Sequence, residues 1–346
     1  MEPTKGKYLP QLDIIRACAF IFVVLLHYSV PTWDAITNKL GTITESLIRG
    51  GWLGVCLFLF VSGYSLALGK THLDSTINLK NFYINRILRI YPLYIFCISI
   101  IAFTHTLNGQ TMFSLALLQT QDIPKNSPFP VLWSIQLEVA CYLLFPIFLE
   151  AVRLRENLQY MFGAMLAIRM GMYFLPTALN WELSYSSIFG GATLFLSGML
   201  AASIKNEKKF FLPLGIILFL MLSVFILKHG GFGGGSGEEM KFVWIFFPEI
   251  FSIIAFLVIK GALSFNSTGR ISYLIAHIGR ISYSGYVLHM FVLDFFLHFV
   301  GGRLNNSSLS HFFLSFSLYF VLLLILAHIT YYAIELPFLK RRKAYI

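Results

Sequence analysis

Long apolar stretches, each about the length of a membrane-spanning helix, recur along the chain between short charged or Gly/Pro-rich breaks. A helix needs about 20 predominantly apolar residues to cross the hydrocarbon core of a bilayer, so each stretch predicts one span. The predicted spans cover residues 11–30, 50–69, 90–107, 133–152, 159–176, 188–204, 210–227, 242–260, 281–299 and 312–334. The pattern therefore predicts an all-α protein, a polytopic membrane helix bundle of about ten transmembrane helices.

Composition supports a membrane protein, and the distribution of charge predicts the orientation of the bundle. Hydrophobic residues make up 57% of the 346 residues and charged residues 12%, whereas about 25% of residues are charged in soluble domains. The net charge is +10, and most lysines and arginines lie at the amino end, in alternate loops and in the tail KRRK at 340–343. By the positive-inside rule, both termini are predicted to be cytoplasmic. The lipid bilayer accounts for the basic charge, and no nucleic-acid partner is expected.

We expect one transmembrane domain over residues 1–346, with no appended soluble domain. The first apolar run carries Asp13 and Arg16, and no small-residue cleavage site follows it. We therefore expect this run to stay in the protein as a helix rather than leave as a signal peptide. The four cysteines lie inside apolar spans and form no CxxC pair, so neither a disulfide framework nor a metal site is expected.

Three polar side chains interrupt the first span: Asp13, Arg16 and His27. At 100° per residue Arg16 and His27 fall on one helix face, about 16 Å apart along the axis, and Asp13 joins them. With the amino end inside, Arg16 is expected near the cytoplasmic surface and His27 much deeper, toward the outer side. One explanation is structural, with an Asp13–Arg16 ion pair and an interfacial histidine that meets water. The other is functional, because ionisable groups inside spans are costly and mark substrate or proton paths. We favour the functional explanation for Arg16 and His27, since histidine titrates near neutrality.

Two arginines stand just before the third span, in the stretch NFYINRILRIYPLY at 81–94. Arg86 and Arg89 are three residues apart, so both guanidinium groups can project from one helix face toward the cytoplasm. Such groups match the geometry of phosphate oxygens. The alternative is an ordinary positive-inside anchor, and it stays open for either arginine alone.

Two further segments place polar groups inside apolar helices. In VLWSIQLEVACYLLFP at 131–146, Glu138 falls near the outer entrance of the fourth span and is expected to pair with a histidine or an incoming hydroxyl. In IGRISYSGYVLHMFV at 278–292, Tyr283 and His289 fall in the cytoplasmic half of the ninth span. The serines of this segment are expected to pack between helices. Arg169 and Glu249 are intramembrane charges without an evident partner.

Several blocks together resemble the acyltransferase-3 family, integral membrane acyltransferases that modify bacterial surface polysaccharides. The resemblance covers essentially the whole chain and rests on LDIIRACAFIFVVLLH, GGWLGVCLFLFVSGYSLALG, FYINRILRIYP, LWSIQLEVACYLLFP, GRISYSGYVLH and IELPFLKRR, in the family's order. It implies a ten-helix bundle that takes an acyl group, usually acetyl, from cytoplasmic acyl-coenzyme A. The group passes to a glycan hydroxyl at the outer face, so the resemblance also implies a bacterial cytoplasmic (inner) membrane location.

The resemblance also implies roles for particular residues. The catalytic set is His27 with Arg16, Asp13 and Glu138, and the paired arginines Arg86 and Arg89 are expected to bind coenzyme A. Trp133, Ser134, Tyr283 and His289 are expected to bind substrate. Acyl-coenzyme A is expected as a co-substrate, with no tightly bound cofactor.

Three positions depart from the family's pattern: Ile14 where glycine is common, Cys56 where an acid is frequent, and Val139 where a second acid often follows. These departures do not affect the residues that are expected to bind the acyl donor. They bear on how the acceptor is bound. Two routes stay open for His27, direct deprotonation of the acceptor hydroxyl and an acyl-histidine intermediate. A polysaccharide or lipid-linked sugar transporter that uses the same polar residues is the rival interpretation. The acyl group, the glycan and the oligomeric state are left open by the sequence.

Overall fold

The computed structural model describes residues 8–36, 39–68, 78–104, 109–118, 129–153, 155–229, 238–267, 269–300 and 308–343. The part of the chain that it describes is helical and contains no strand. In chain order the helices are α1 (Pro10–Ser29), α2 (Trp33–Ile36), α3 (Thr42–Arg49), α4 (Leu53–Ala67), α5 (Leu79–Thr104), α6 (Gly109–Ala116), α7 (Trp133–Arg153), α8 (Arg155–Met172), α9 (Thr177–Tyr185), α10 (Ile188–Ser203), α11 (Phe211–Lys228), α12 (Glu238–Ile245), α13 (Phe247–Leu263), α14 (Arg270–Arg280), α15 (Ser282–Phe299), α16 (Leu309–Thr330) and α17 (Leu336–Leu339). The predicted all-α class is confirmed.

Within the described ranges, seven segments are long and apolar enough to cross a membrane. They are Pro10–Ser29, Thr42–Ala67, Leu79–Phe103, Trp133–Val152, Leu179–Ser203, Phe211–Lys228 and Leu309–Leu339. The three remaining predicted spans are helical as well, in α8, in α12 with α13, and in α15. The protein is thus a multi-pass membrane protein, while the count of ten and the orientation of the termini stay predictions.

Two boundaries differ from the hydropathy pattern. The third predicted span begins at residue 90, but α5 begins at Leu79 and so includes both arginines. Arginine, leucine and lysine are good helix formers, so the helix extends beyond the apolar run. The eighth predicted span, 242–260, is divided between α12 and α13 at Phe246, two residues before Pro248. Proline at a helix start lacks the N–H that a continuous helix would use, which explains the division.

The chain forms two compact units. The first comprises residues 1–26, 41–75 and 140–279, and the second comprises residues 27–40, 76–139 and 280–346. Helices α1 and α7 contribute residues to both. The prediction of one transmembrane domain stays a prediction.

Small residues bring α4 and α10 into close contact in the first unit. A Cβ atom on Gly63 would lie 2.0 Å from the Phe195 carbonyl oxygen, and one on Gly198 would lie 2.1 Å from the Phe60 carbonyl oxygen. Each helix thus presents a glycine to the other's backbone. Such glycines allow the van der Waals packing that holds membrane helices together.

Two buried cations of the first unit have partners on other helices. The Arg169 side chain is 2% exposed, and its Nε donates to Glu249 Oε1 at 3.1 Å. Arg169 Nη2 also donates to Thr193 Oγ1 at 3.1 Å. The Lys260 ammonium donates to the Tyr64 hydroxyl at 3.1 Å. The charges at 169 and 249, which had no evident partner in the sequence, therefore form one ion pair.

In the second unit, α15 packs against α16, and α17 packs against α5. The core between α1, α15 and α16 is aromatic: the Tyr28 ring stacks on Tyr319 and lies against Phe296 and Phe312. Tyr28 also shares a short hydrogen bond with Ser315. This packing fixes the end of α1 beside the middle of α15.

The close contact of α4 and α10 predicts that Gly63→Ala strongly lowers the free energy of unfolding. The added methyl would overlap a backbone oxygen that cannot move without shifting the whole helix, and overpacking of this kind costs about 1–3 kcal/mol or more. We expect a clearly lower thermal unfolding temperature for the detergent-purified variant. The matched control is Gly163→Ala in α8, where a Cβ meets nothing within 4 Å. Equal unfolding temperatures for the two variants would contradict the packing described.

Candidate active site

Two histidines of the second unit contact each other. His27 Nδ1 and His289 Nε2 are 3.1 Å apart, a hydrogen-bonding distance, and the ring centroids are 4.9 Å apart. His289 is fully buried, whereas His27 is partly exposed. The contact joins the carboxyl-terminal turn of α1 to the second turn of α15. A partly exposed histidine that is held by a buried neighbour can act as a base or as a nucleophile.

Hydrogen bonds hold the supporting ring of His289. Its Nδ1 lies 2.5 Å from the Tyr286 carbonyl oxygen, one turn earlier on α15. The Tyr319 hydroxyl of α16 donates to the His289 carbonyl oxygen at 2.9 Å. The Tyr286 hydroxyl shares a hydrogen bond of 2.8 Å with Ser134 at the start of α7. Ser134 thus bonds to the turn of α15 that carries His289, the residue that contacts His27.

The contact between the histidines corrects one expectation. The sequence placed His27 toward the outer side and His289 in the cytoplasmic half of its span. A separation of 3.1 Å between their ring nitrogens puts both side chains at the same depth. The reason is that each depth was counted along its own span, whereas tilted helices cross the membrane at different angles, so residue counts on two helices do not give a common depth.

The second arginine of the predicted pair forms a buried ion pair. Arg89 Nη1 of α5 lies 3.2 Å from Glu335 Oε2, and the Glu335 side chain is 1% exposed whereas that of Arg89 is 27% exposed. The Ser284 hydroxyl of α15 donates a short hydrogen bond to Glu335 Oε1. Glu335 ends a π-helical turn at Tyr331–Glu335, a local widening that is common at functional sites.

Tyr283 contacts the same arginine. The Arg89 guanidinium lies over the Tyr283 ring, 5.2 Å from its centroid, and the Tyr283 hydroxyl donates to the Ile90 carbonyl oxygen at 3.1 Å. The Arg86 guanidinium lies over the Phe82 ring at 5.5 Å. Tyr283 therefore supports the arginine of α5, one helical turn from the residues that support His27. Its predicted substrate-binding role stays a prediction.

In the first unit, Asp13 and Arg16 form the ion pair that the sequence offered as the structural explanation. Arg16 Nη1 lies 2.6 Å from Asp13 Oδ1, and the Tyr8 hydroxyl donates to Asp13 Oδ2 at 2.9 Å. Arg16 Nη2 donates to the Ser65 hydroxyl of α4 at 2.7 Å. The Asp13–Arg16 pairing is confirmed, and any further catalytic part for these residues stays a prediction.

Glu138 and Trp133 belong to the amino-terminal half of α7. The Glu138 side chain is half-buried. Trp133 begins the helix and is half-buried. The predicted role of Glu138 toward His27 and the predicted substrate-binding role of Trp133 stay predictions.

Sequence reasoning gave no role to several residues that the structure places at these clusters. Glu335 stands in the quoted block IELPFLKRR, and an acid within an apolar run is the signal by which it could have been found. Ser284 was expected only to pack between helices, whereas it binds Glu335. Ser65 carries no such signal, since serines are common at helix contacts.

The chain belongs to the family of acyltransferase domains whose model matches residues 9–332. That match covers nearly the whole chain, including both histidines and both arginines of α5. It confirms the resemblance drawn from the sequence blocks.

Relatives carry corresponding names. A Staphylococcus aureus (strain COL) protein named "Putative O-acetyltransferase" is 24% identical over 394 residues, covering 98% of this chain and 60% of the relative. An Acidianus two-tailed virus protein named "Putative acetyltransferase" is 24% identical, covering 82% of this chain and 83% of its own length. The peptidoglycan O-acetyltransferase OatA of Listeria monocytogenes is 25% identical over 41% of this chain and 24% of OatA.

The chain spans about 60% of the length of the staphylococcal relatives that it matches. No solved structure is similar to it. The geometry of the histidine pair and of the arginine cluster therefore comes from this chain alone.

The Arg89–Glu335 pair predicts a sharp difference between two glutamate variants. Removing one partner of a buried pair leaves the other charge uncompensated, at a cost near the lower end of about 3–5 kcal/mol because Arg89 is partly exposed. We expect Glu335→Ala to lower the unfolding temperature of the purified protein strongly, and Glu335→Gln to lower it less because the amide keeps its hydrogen bonds.

The control for this prediction is Glu45→Ala. Glu45 pairs with Arg49 four residues later on α3, both partly exposed, and such pairs contribute less than about 1 kcal/mol. A Glu335→Ala protein that unfolds at the same temperature as Glu45→Ala would show that the Arg89–Glu335 pair contributes little.

Proposed function

We propose that the protein is a membrane O-acetyltransferase. In this proposal it moves an acetyl group from cytoplasmic acetyl-coenzyme A to a hydroxyl of a cell-surface or lipid-linked polysaccharide. The observation that carries the proposal is the contact between His27 and His289 inside apolar helices of an acyltransferase chain. Unpaired polar groups in such helices are costly, so a histidine pair kept there has a chemical use.

His27 is the proposed reacting group. Its ring is partly exposed, so a substrate hydroxyl or thioester can approach it, while the buried His289 ring lies behind its Nδ1. As a base, His27 takes the proton of the acceptor hydroxyl while the oxygen attacks the thioester carbonyl carbon. The carbon–sulfur bond then breaks, and the proton passes to the departing thiolate. The covalent route, through an acyl-histidine, uses the same residue.

The donor is proposed to bind through Arg86 and Arg89. Coenzyme A carries phosphates at one end and its thioester at the other, and guanidinium groups hold phosphate oxygens by paired hydrogen bonds. The Arg89 side chain is held by Glu335 and Tyr283, yet it remains 27% exposed. Part of its guanidinium group can therefore contact a ligand. Helix α15 links the donor group to His27, because Ser284 and His289 are about 7.5 Å apart along its axis.

The proposed orientation is that of ten spans with both termini in the cytoplasm, in a bacterial cytoplasmic membrane. The count of lysines and arginines supports it. The name of one relative, peptidoglycan O-acetyltransferase, supports a polysaccharide as the proposed acceptor. Acyl-coenzyme A is proposed as a co-substrate rather than a resident cofactor.

A test of this function is transfer of radiolabelled acetyl from acetyl-coenzyme A to membrane glycans at matched protein expression. We expect His27→Ala to lower labelling by about 10²–10⁴-fold, the usual contribution of a general base. The control is His311→Ala, a histidine exposed at the start of α16. Equal labelling by the His27→Ala and His311→Ala membranes would contradict the assignment of His27.

The donor site has its own prediction. Arg86→Ala, and separately Arg89→Ala combined with Glu335→Gln, should raise the KM for acetyl-coenzyme A at least about tenfold, since each charge-assisted hydrogen bond contributes about 1.5–3 kcal/mol. The Glu335→Gln substitution removes the buried negative charge that Arg89→Ala alone would leave uncompensated. An unchanged KM for acetyl-coenzyme A in both variants would show that the coenzyme A phosphates do not bind at Arg86 and Arg89.

A polysaccharide or lipid-linked sugar transporter is the rival proposal, because buried ionisable groups also line transport paths. Heat unfolding of the purified protein separates the two. A ligand that binds the folded state raises its stability by about 2.7 kcal/mol at a hundredfold excess over Kd. Stabilisation by acetyl-coenzyme A supports the enzyme, and no shift at saturating concentrations supports the transporter.

A further inference from the structure

We propose that His289 is a positioning residue that fixes the tautomer of His27 and so selects His27 Nε2 as the reacting nitrogen. This inference rests on the proposed function of His27 and extends it to a specific atom. It replaces the substrate-binding role that the family resemblance implied for His289.

The Tyr286 carbonyl oxygen determines which ring nitrogen of His289 carries a proton. His289 Nδ1 lies 2.5 Å from this oxygen, and a carbonyl oxygen can only accept a hydrogen bond. His289 Nδ1 therefore carries a proton. A second proton on the same ring would put a positive charge on a fully buried group beside another imidazole, which is costly without a paired anion. The His289 ring is thus neutral, with its lone pair on Nε2.

That lone pair determines which ring nitrogen of His27 carries the proton. His289 Nε2 lies 3.1 Å from His27 Nδ1, and because His289 Nε2 is an acceptor, His27 Nδ1 must be the donor. A neutral His27 ring has only one N–H, so the lone pair of His27 lies on Nε2. The nitrogen that takes the hydroxyl proton, or attacks the thioester in the covalent route, is therefore Nε2.

The same contact supports the charged form of His27. When Nε2 takes a proton, the ring becomes an imidazolium, and the Nδ1–H···Nε2 hydrogen bond becomes charge-assisted and stronger. Catalytic triads obtain this support from a carboxylate. Here a neutral histidine supplies it, anchored by a backbone carbonyl and by the packing of α15 against α16.

Two substitutions of His289 separate positioning from packing. In His289→Gln, the amide oxygen can reach the place of the imidazole Nε2 and accept from His27 Nδ1. In His289→Asn, the shorter side chain reaches only the place of Nδ1. Both variants are polar and smaller than histidine, so a purely structural role would affect them alike.

The first measurement is acetyl transfer by the purified full-length protein. We expect His289→Asn to lower kcat about 10²-fold, in the range of general-base effects, with KM for acetyl-coenzyme A unchanged. His289→Gln should recover most of that loss, and His311→Asn is the matched control for the substitution itself. Equal kcat values for the Gln and Asn variants, or a loss that appears in KM, would overturn the positioning role.

The second measurement does not depend on activity. Nitrogen-15 NMR of protein labelled at histidine distinguishes protonated from unprotonated ring nitrogens, and the His27 signals are those lost in His27→Gln. We expect Nδ1 of His27 to be protonated and Nε2 to be unprotonated in the wild type, with this preference lost in His289→Asn. A protonated Nε2 in the wild type would refute the tautomer assignment. If the wild type transfers no acetyl, the proposed function fails while the NMR result still decides the tautomer.

Discussion

The hydrogen bond between His27 and His289 is the interaction on which the proposed chemistry depends, and the reason for it is the apolar setting. Inside a membrane-spanning helix an unpaired polar group costs several kcal/mol. The chain meets this constraint by pairing polar groups from different helices. His27 pairs with His289, and Arg89 pairs with Glu335. Each pair that satisfies a polar group therefore also fixes where two helices meet, so function and packing share the same contacts.

Helix α15 organises the second unit. Its first turn carries Tyr283 and Ser284, which hold Arg89 directly and through Glu335. Its second turn carries Tyr286 and His289, which bind Ser134 and His27. Because a helix is rigid at about 1.5 Å per residue, the proposed donor site at Arg89 and the proposed base, His27, keep a constant spacing. The hydroxyl-rich sequence of α15 is thus explained by contacts to four other segments of its unit.

Much of this arrangement could be predicted from sequence because it is local. Apolar run lengths predicted the helices, and spacing of three residues predicted the Asp13–Arg16 pair. The contacts between His27 and His289, and between Arg89 and Glu335, join residues more than 240 positions apart. No local pattern encodes which helices become neighbours, so these partners could not be predicted. For the same reason, the relative depth of His27 and His289 was misjudged, since it depends on which residues of the two helices meet.

In the proposed mechanism, acetyl is transferred at His27 from a donor on the cytoplasmic side to a glycan on the outer side. The most direct test uses sealed vesicles with one known orientation of the protein, acetyl-coenzyme A only on the cytoplasmic face and the glycan only on the other. The account predicts acetylated glycan in the compartment that holds no donor, and none with His27→Ala. Acetylation only when donor and glycan share a compartment would contradict it.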